Sequence, residues 1–479
     1  MNYAMIAYLF GGVLKIFAGL MIPPVIAAVI YKENTLADFI LIFVLCLLAG
    51  ILLTRKRPRN DVLYARDGFA AVSLIWIGLS VIGSLPFIIS GVIPSFLDAL
   101  FESVAGFTTT GASILTDIEA IPRSLLFWIS FTHWLGGMGV LVLLLAVLPL
   151  SGGHNVHLIR AESPGPAVNK LVPKLRTSAM ILYLIYVSMT AVQVIVLLLA
   201  GMPFFEALLT AFGSASTGGL SFGADSMASF SPAVQIITSV FMALFGVNFS
   251  VYYFIAAKKI KQVLKSEELR VYFGLLFIFT VIMAINIYPM FRNVPETIRH
   301  AFFQVSSILS TTGFATDDFN LWPSFSKILL TFMMFIGAMA GSTGGGLKIS
   351  RLIIGFKSMC GELFRIVHPH SVKKISFEGR LLTDSQITSA GVYFFAYFAV
   401  FSVSVLIVSL DGFDLTTSFS AVTASLNNIG QGFESVGPAG NFSQFSDLSK
   451  AVFIFDMLAG RLELFPLLIL FSPKTWKNK

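Results

Sequence analysis

Four short loops carry the residue types from which an ion-binding cage can be built. They read Thr109-Thr110-Gly111-Ala112, Ser216-Thr217-Gly218-Gly219, Thr311-Thr312-Gly313-Phe314 and Asn428-Ile429-Gly430-Gln431. A cation that sheds its water needs replacement oxygens, and backbone carbonyls supply them when several turn to one side. Glycine adopts the required backbone angles without steric cost. No position in these loops is charged, so a carboxylate ring selective for divalent cations is absent. The chemistry suits a monovalent cation, with potassium the ion that carbonyl cages bind.

Each loop follows a short apolar stretch, near 97–108, 204–216, 300–311 and 415–427. These cannot cross a bilayer, which takes roughly 20 residues, and have the length of re-entrant half-helices. Their C-terminal ends aim partial negative charge at the loops. Acidic residues at or near their starts (Asp98, Glu102, Glu206, Glu296 and Asp414) fit the opposite, positive ends.

Around them lie ten longer apolar segments, approximately 5–30, 36–54, 68–91, 124–150, 179–201, 231–257, 269–291, 325–360, 386–410 and 450–471. After the first two, one plan recurs four times: span, half-helix, glycine loop, span. Each unit returns the chain to its starting side, so the units run parallel with all loops on one face. Many secondary transporters use inverted repeats instead. Non-helical backbone at this depth is tolerated only where it is buried or lines a watery cavity. The expected fold is therefore an all-α polytopic membrane protein. Two N-terminal helices (1–60) precede four parallel span–pore-loop–span repeats around a central pore (61–165, 166–262, 263–380 with an interrupted second helix, and 381–479).

Composition agrees. Of 479 residues, 56% are hydrophobic and 12% charged, against about 25% charged in soluble domains. The net charge of +7 does not signal nucleic acid, because the basic residues cluster in loops on one side. Arg55, Lys56, Arg57, Arg59 and Arg66 share that side with Arg160, Lys170, Lys174, Lys258, Lys259 and Lys261. Lys348, Arg351, Lys357, Arg365, Lys373, Lys374, Lys477 and Lys479 continue the series. The positive-inside bias makes this face and both termini cytoplasmic, with the half-helices entering from outside. The first apolar stretch is too long for a signal-peptide core and reads as a retained helix; Lys15 within it snorkels or faces the bundle. Cys46 and Cys360 are too far apart in context for a disulfide framework, and His154 and His157 have no further ligands nearby.

Two features stand inside expected spans. Gly337-Ala338-Met339-Ala340-Gly341-Ser342-Thr343-Gly344-Gly345-Gly346, followed by Lys348, interrupts the eighth. Each glycine costs a helix about 1 kcal/mol, so the helix opens there, either as an intramembrane loop obstructing the pore or as close packing through small residues. Arg461, near the middle of the last span, faces a watery cavity or pairs with Asp456 or Glu463.

The four loops in register between paired spans resemble the Trk/Ktr/HKT superfamily of potassium transporters, and the two extra N-terminal helices are similar to its TrkH branch. That resemblance implies potassium uptake across the plasma (inner) membrane through a filter of the sixteen loop residues quoted. The fourth loop departs most, with Asn428-Ile429 in place of Thr or Ser pairs. It also implies a gating loop at Gly341, Ser342, Thr343, Gly344, Gly345, Gly346 and Lys348, and an arginine like Arg461 near the pore. A homodimer with one pore per protomer and a cytosolic ring of nucleotide-binding regulatory subunits are implied as well. No cofactor is expected beyond the transported potassium. Sodium- or proton-coupled symport is the alternative; a membrane enzyme using His133 or Asp456 and Glu463 is the remote one.

Overall fold

The computed structural model describes residues 1–58, 64–139, 175–220, 226–370 and 374–476. The expected second basic loop, with His154, His157, Arg160, Lys170 and Lys174, lies outside these residues. So do Arg59, Lys373, Lys477, Lys479 and the boundary at residue 165. Among the described residues nearly all regular structure is helical, and strand is confined to an antiparallel hairpin of Ser376–Phe377 with Arg380–Leu381.

Six described helices are long and apolar enough to cross a membrane: Tyr3–Tyr31, Leu36–Leu53, Arg66–Ile89, Thr177–Leu199, Glu267–Phe291 and Asp384–Asp411. They are the two N-terminal helices and the first helix of each unit, here called the outer helices. After each outer helix comes a half-helix: Phe96–Phe107, Phe204–Ser216, Val294–Leu309 and Leu415–Leu426. The half-helices are buried on nearly every side from their first or second turn onward, which places them at the centre of the bundle.

The second, inner helix of each unit is broken, where one interruption, in the eighth span, was expected. In the first unit it is Arg123–Gly137, in the second Pro232–Phe245 followed by Phe249–Ala256, bent by 92°. In the third it is Ser324–Ile336, a long break, then Ile349–Val367; in the fourth, Asp447–Arg461 and then Phe465–Leu468. Only the third interruption was expected. The others begin at Gly136-Gly137, Gly246 and Gly460-Arg461, where one or two glycines meet the end of a half-helix. An added Cβ at Gly136 would strike the Phe107 carbonyl, at Gly246 it would lie 3.3 Å from Ser310 Cβ, and at Gly460 it would strike the Leu426 carbonyl.

The N-terminal helices are held by two devices. Glu33 accepts the backbone amides of Arg123 (2.7 Å) and Ser124 (3.0 Å) and so caps the first inner helix. Trp128 on that helix packs edge-on against Phe17, Phe39 and Phe107, and its Nε1 donates to the Gly83 carbonyl at 3.1 Å. The first two helices themselves meet at Gly11 and Gly50 through small-residue packing. Lys15 is exposed, with its stem laid along Gly50. A Cβ on Gly11 would sit 2.6 Å from Leu53 Cβ. Gly11→Leu is therefore expected to lower the thermal midpoint of the detergent-solubilised protein, an overpacking cost of about 1–3 kcal/mol. An unchanged midpoint would show that this crossing is not close-packed.

Candidate ion-binding loops and the segment beneath them

All four half-helices end in the same backbone motif. The amides of Thr109, Thr217, Thr311 and Asn428 reach back to the carbonyls of Gly106, Ser214, Ile308 and Ser425. The next amides, of Thr110, Gly218, Thr312 and Ile429, reach Ala105, Gly213, Ser307 and Ala424. This Schellman pair requires a left-handed residue between helix and loop, ordinarily glycine. Here it is Thr109 (φ 56°), Thr217 (56°), Thr311 (62°) and Asn428 (54°). A β-branched residue in that region is unfavourable, at about 1–3 kcal/mol each. The side chains show what the strain retains. Thr109 Oγ1 accepts Arg461 (3.3 Å), and Thr311 Oγ1 accepts the Gly345 amide (2.7 Å). Asn428 Nδ2 donates to Thr110 Oγ1 and to the Met457 carbonyl, both at 2.9 Å. The Asn428 departure therefore bridges the fourth loop to the first.

Two residues after each left-handed position stands a glycine of positive φ: Gly111 (77°), Gly219 (40°), Gly313 (87°) and Gly430 (87°). This register moves the second loop's conserved conformation one residue beyond Gly218, onto Gly219. The same four glycines define a closed ring. A Cβ added to Gly111 would overlap the carbonyl oxygen of Gly218, to Gly219 that of Thr312, to Gly313 that of Ile429, and to Gly430 that of Thr110. Loop one thus abuts loop two, two abuts three, three abuts four, and four returns to one. Each glycine α-carbon touches the residue preceding the next glycine in the ring.

Beneath the third and fourth loops lies the non-helical segment between Gly337 and Lys348. A Cβ on Gly344 would fall 2.7 Å from the Ser310 carbonyl, and one on Gly345 would strike that of Asn427. Much of its backbone finds partners within the protein, which suits non-helical chain at membrane depth. The Met339 amide donates to Gly246 (3.1 Å), and Gly341 accepts from Phe249 (3.1 Å) across the break of the second inner helix. Glu268 Oε1 accepts both the Ala340 amide (2.7 Å) and the Ser350 amide (3.1 Å), clamping the segment at its two ends. Lys348 Nζ donates to the Gly344 carbonyl.

Arg461 joins this layer together. Its guanidinium donates to Thr343 O (2.7 Å), Gly136 O (2.6 Å), Gly137 O (3.0 Å) and Thr109 Oγ1. It thereby connects the glycine-rich segment, the broken end of the first inner helix and the first loop. Glu463 pairs with Arg351, whose guanidinium also lies 4.0 Å over the Tyr393 ring. Asp456 accepts from Ser404 at 2.8 Å, and His133 Nδ1 lies 2.8 Å from the Ile129 carbonyl. The three groups considered for enzymatic chemistry are thus held by separate structural contacts. At the outer rim, Asp414 caps its half-helix; hydrogen bonds from the Thr417 hydroxyl (2.5 Å) and amide (2.9 Å) hold its carboxyl below the usual range.

The family model of TrkH, described as a cation transport protein, matches residues 34–478. The chain belongs to the TrkH family. It is 37% identical to the Trk system potassium uptake proteins TrkH of Salmonella typhimurium and Escherichia coli, with full coverage of both sequences in each comparison. Identity to TrkG of Escherichia coli is 33%, over 99% of this chain and 98% of that protein. The crystal structure of the potassium transporter TrkH from Vibrio parahaemolyticus superposes with a TM-score of 0.88 at 34% identity, covering all of both chains. These relatives are named as transport proteins, not enzymes.

In this TrkH-family chain, two buried carboxylates escaped the sequence reading. Nothing in the sequence singles out Glu268, and only its reach to Ala340 and Ser350 reveals the clamp. Glu102 looked like a dipole partner, yet it is 1% exposed and lies in the body of its half-helix. The ring register makes a direct prediction. Gly219→Ala, strained at φ 40° and pressed onto the Thr312 carbonyl, should reduce ion flux in proteoliposomes more than Gly218→Ala, which has no positive φ and meets side chains, the His133 ring and Ser216 Oγ, in place of backbone. Equal losses, or the reverse order, would take Gly219 out of the ring position and leave Gly218 as the glycine on which conduction depends.

Proposed function

We propose that this chain is a potassium uptake subunit that conducts through the four loops, which line one pore as four parallel units. The closed ring of glycine-to-carbonyl contacts carries this reading, since it brings four uncharged loops to a single axis. Carbonyls at 109–112, 217–220, 311–314 and 428–431 then stand in for the hydration shell of the ion. Relatives named as potassium uptake proteins at 37% identity support potassium as the ion. The half-helices point their negative ends at the same place.

Conduction is downhill on this reading. An inside-negative potential contributes about 2.3 kcal/mol per charge per 100 mV, which sustains roughly fiftyfold accumulation without ATP hydrolysis in this chain. The segment from Gly341 to Gly346, with Lys348 and Arg461, is the gate. Its position against the third and fourth loops and the two cationic groups anchored to it support that role. The basic loops lie on the cytoplasmic side of the plasma membrane, where a nucleotide-binding ring of regulatory subunits docks on a homodimer.

Purified protein in liposomes should show potassium or rubidium flux under an inside-negative potential, and Gly313→Ser should lower the potassium-to-sodium ratio. Absence of flux, or a ratio indifferent to Gly313→Ser, would sink the proposal. Flux that requires a sodium or proton gradient would replace conduction by symport. In the same assay, deleting Gly344 to Gly346 should raise flux; unchanged conductance would remove the gate assignment while leaving the pore.

A further inference from the structure

Glu102 is the one carboxylate sealed inside the half-helix layer behind the first loop. Its Oε2 accepts the Ile114 amide at 3.1 Å, and both of its oxygens accept the Ser113 hydroxyl, at 3.1 and 3.0 Å. Ser113 Oγ in turn accepts the Leu115 amide at 3.1 Å. Ser113 and Ile114 begin the irregular segment that leaves Gly111-Ala112. An ionised carboxylate is acceptor-only, so it suits a site where an amide and a hydroxyl converge as donors. Hydrogen bonds to such a group are about twice as strong as neutral ones.

The other side of this segment is fixed by the fourth unit. The Ser113 carbonyl accepts the Phe442 amide at 2.9 Å. The Phe442 ring packs against Phe101, the neighbour of Glu102, and against Phe453. The segment is therefore held between a carboxylate of its own half-helix and the backbone of the fourth unit beyond its loop.

The remaining units do this differently. In the register set by the glycine ring, the counterparts of Glu102 are Thr210, Gln304 and Ala421. In the third unit Ser307 Oγ donates to the Phe314 carbonyl (2.6 Å), and His300 Nδ1 meets Thr316 Oγ1 (2.9 Å). In the fourth, Ser420 Oγ accepts the Phe433 amide (2.9 Å). Where described, those segments are tied by hydroxyls and a histidine, whereas the first is tied by an acid.

We propose that Glu102 is a positioning residue for ion selectivity, fixing through Ser113 and Ile114 where the carbonyls from Thr110 to Ala112 stand around the axis. The inference rests on the reading of the loops as a filter. Gly313→Ser serves as the reference that tests that reading separately.

The experiment compares rubidium and sodium flux in proteoliposomes of the full chain for Glu102→Gln, Ser113→Ala, their double variant and Gly313→Ser. Glutamine keeps the volume but turns one acceptor into a donor that faces the Ile114 amide or the Ser113 hydroxyl. Glu102→Gln is expected to lower the rubidium-to-sodium ratio about tenfold, equivalent to about 1.4 kcal/mol. Ser113→Ala should lower it less, and the double variant no further than Glu102→Gln alone, because both act on one link. The proposal is overturned if Ser113→Ala leaves the ratio at the parent value, since a fall with Glu102→Gln alone would then reflect lost charge. It is also overturned if Glu102→Gln leaves the ratio unchanged or if the two losses add. Should Glu102→Gln fail to fold, the ratio for Ser113→Ala decides. An unchanged ratio for Gly313→Ser would instead remove the filter reading.

Discussion

The centre of this protein depends on one steric condition, that a glycine α-carbon lies against the carbonyl of the neighbouring loop, met four times in a ring. Gly111, Gly219, Gly313 and Gly430 each occupy space that a methyl group would deny to the next loop. Close approach of this kind cannot be made by one loop alone, since each contact needs its neighbour in place. It demands half-helices delivered from four directions to the same depth. The outer helices do so with one face to the bundle and one to lipid, as the exposed Phe277, Ile285, Phe395 and Leu406 show. The inner helices yield to the same condition. They break next to glycines that lie against the half-helix ends, where an added Cβ would overlap the Phe107 and Leu426 carbonyls.

Below the ring, irregular backbone has been substituted for helix, and hydrogen bonds to neighbouring elements hold it in place. The left-handed threonines and Asn428 accept conformational strain that glycine would avoid; in return Thr109 and Thr311 hold the underlying layer and Asn428 ties the fourth loop to the first. Arg461, Thr311 and Glu268 connect that layer to the first loop, the third loop and the third outer helix. A buried guanidinium without acceptors would be costly; four oxygens surround this one. The loops and the segment beneath them are therefore joined by hydrogen bonds through Arg461 and Thr311.

Much of this was legible in the sequence, but unevenly. The N-terminal and outer helices could be read from hydropathy because lipid exposure is a property of consecutive residues. The break at Gly337 to Lys348 was legible because several glycines in one short run destabilise a helix additively. The breaks at Gly136-Gly137, Gly246 and Gly460 were not, since one or two glycines are common in continuous membrane helices. In the second loop, two adjacent glycines offered two registers. A Ser-Thr pair precedes Gly218, so the local sequence favours Gly218 while the positive φ falls on Gly219. Glu102 illustrates the same limit: a carboxylate near a helix start has an adequate explanation in the dipole, and nothing local reveals that it is sealed behind the loop.

What the sequence determined by itself was therefore everything carried by local pattern: membrane residence, the fourfold recurrence of half-helix and glycine loop, and the uncharged chemistry of those loops. The tertiary structure decided which glycine of the second loop joins the ring and where the inner helices break. It also decided that Arg461 bonds to carbonyls and the Thr109 hydroxyl, and that two carboxylates serve as tethers. The division has a physical cause. Apolar periodicity and glycine runs act within a few residues of themselves, whereas close approach and hydrogen-bond satisfaction depend on partners hundreds of residues away, as Asn428 does on Thr110.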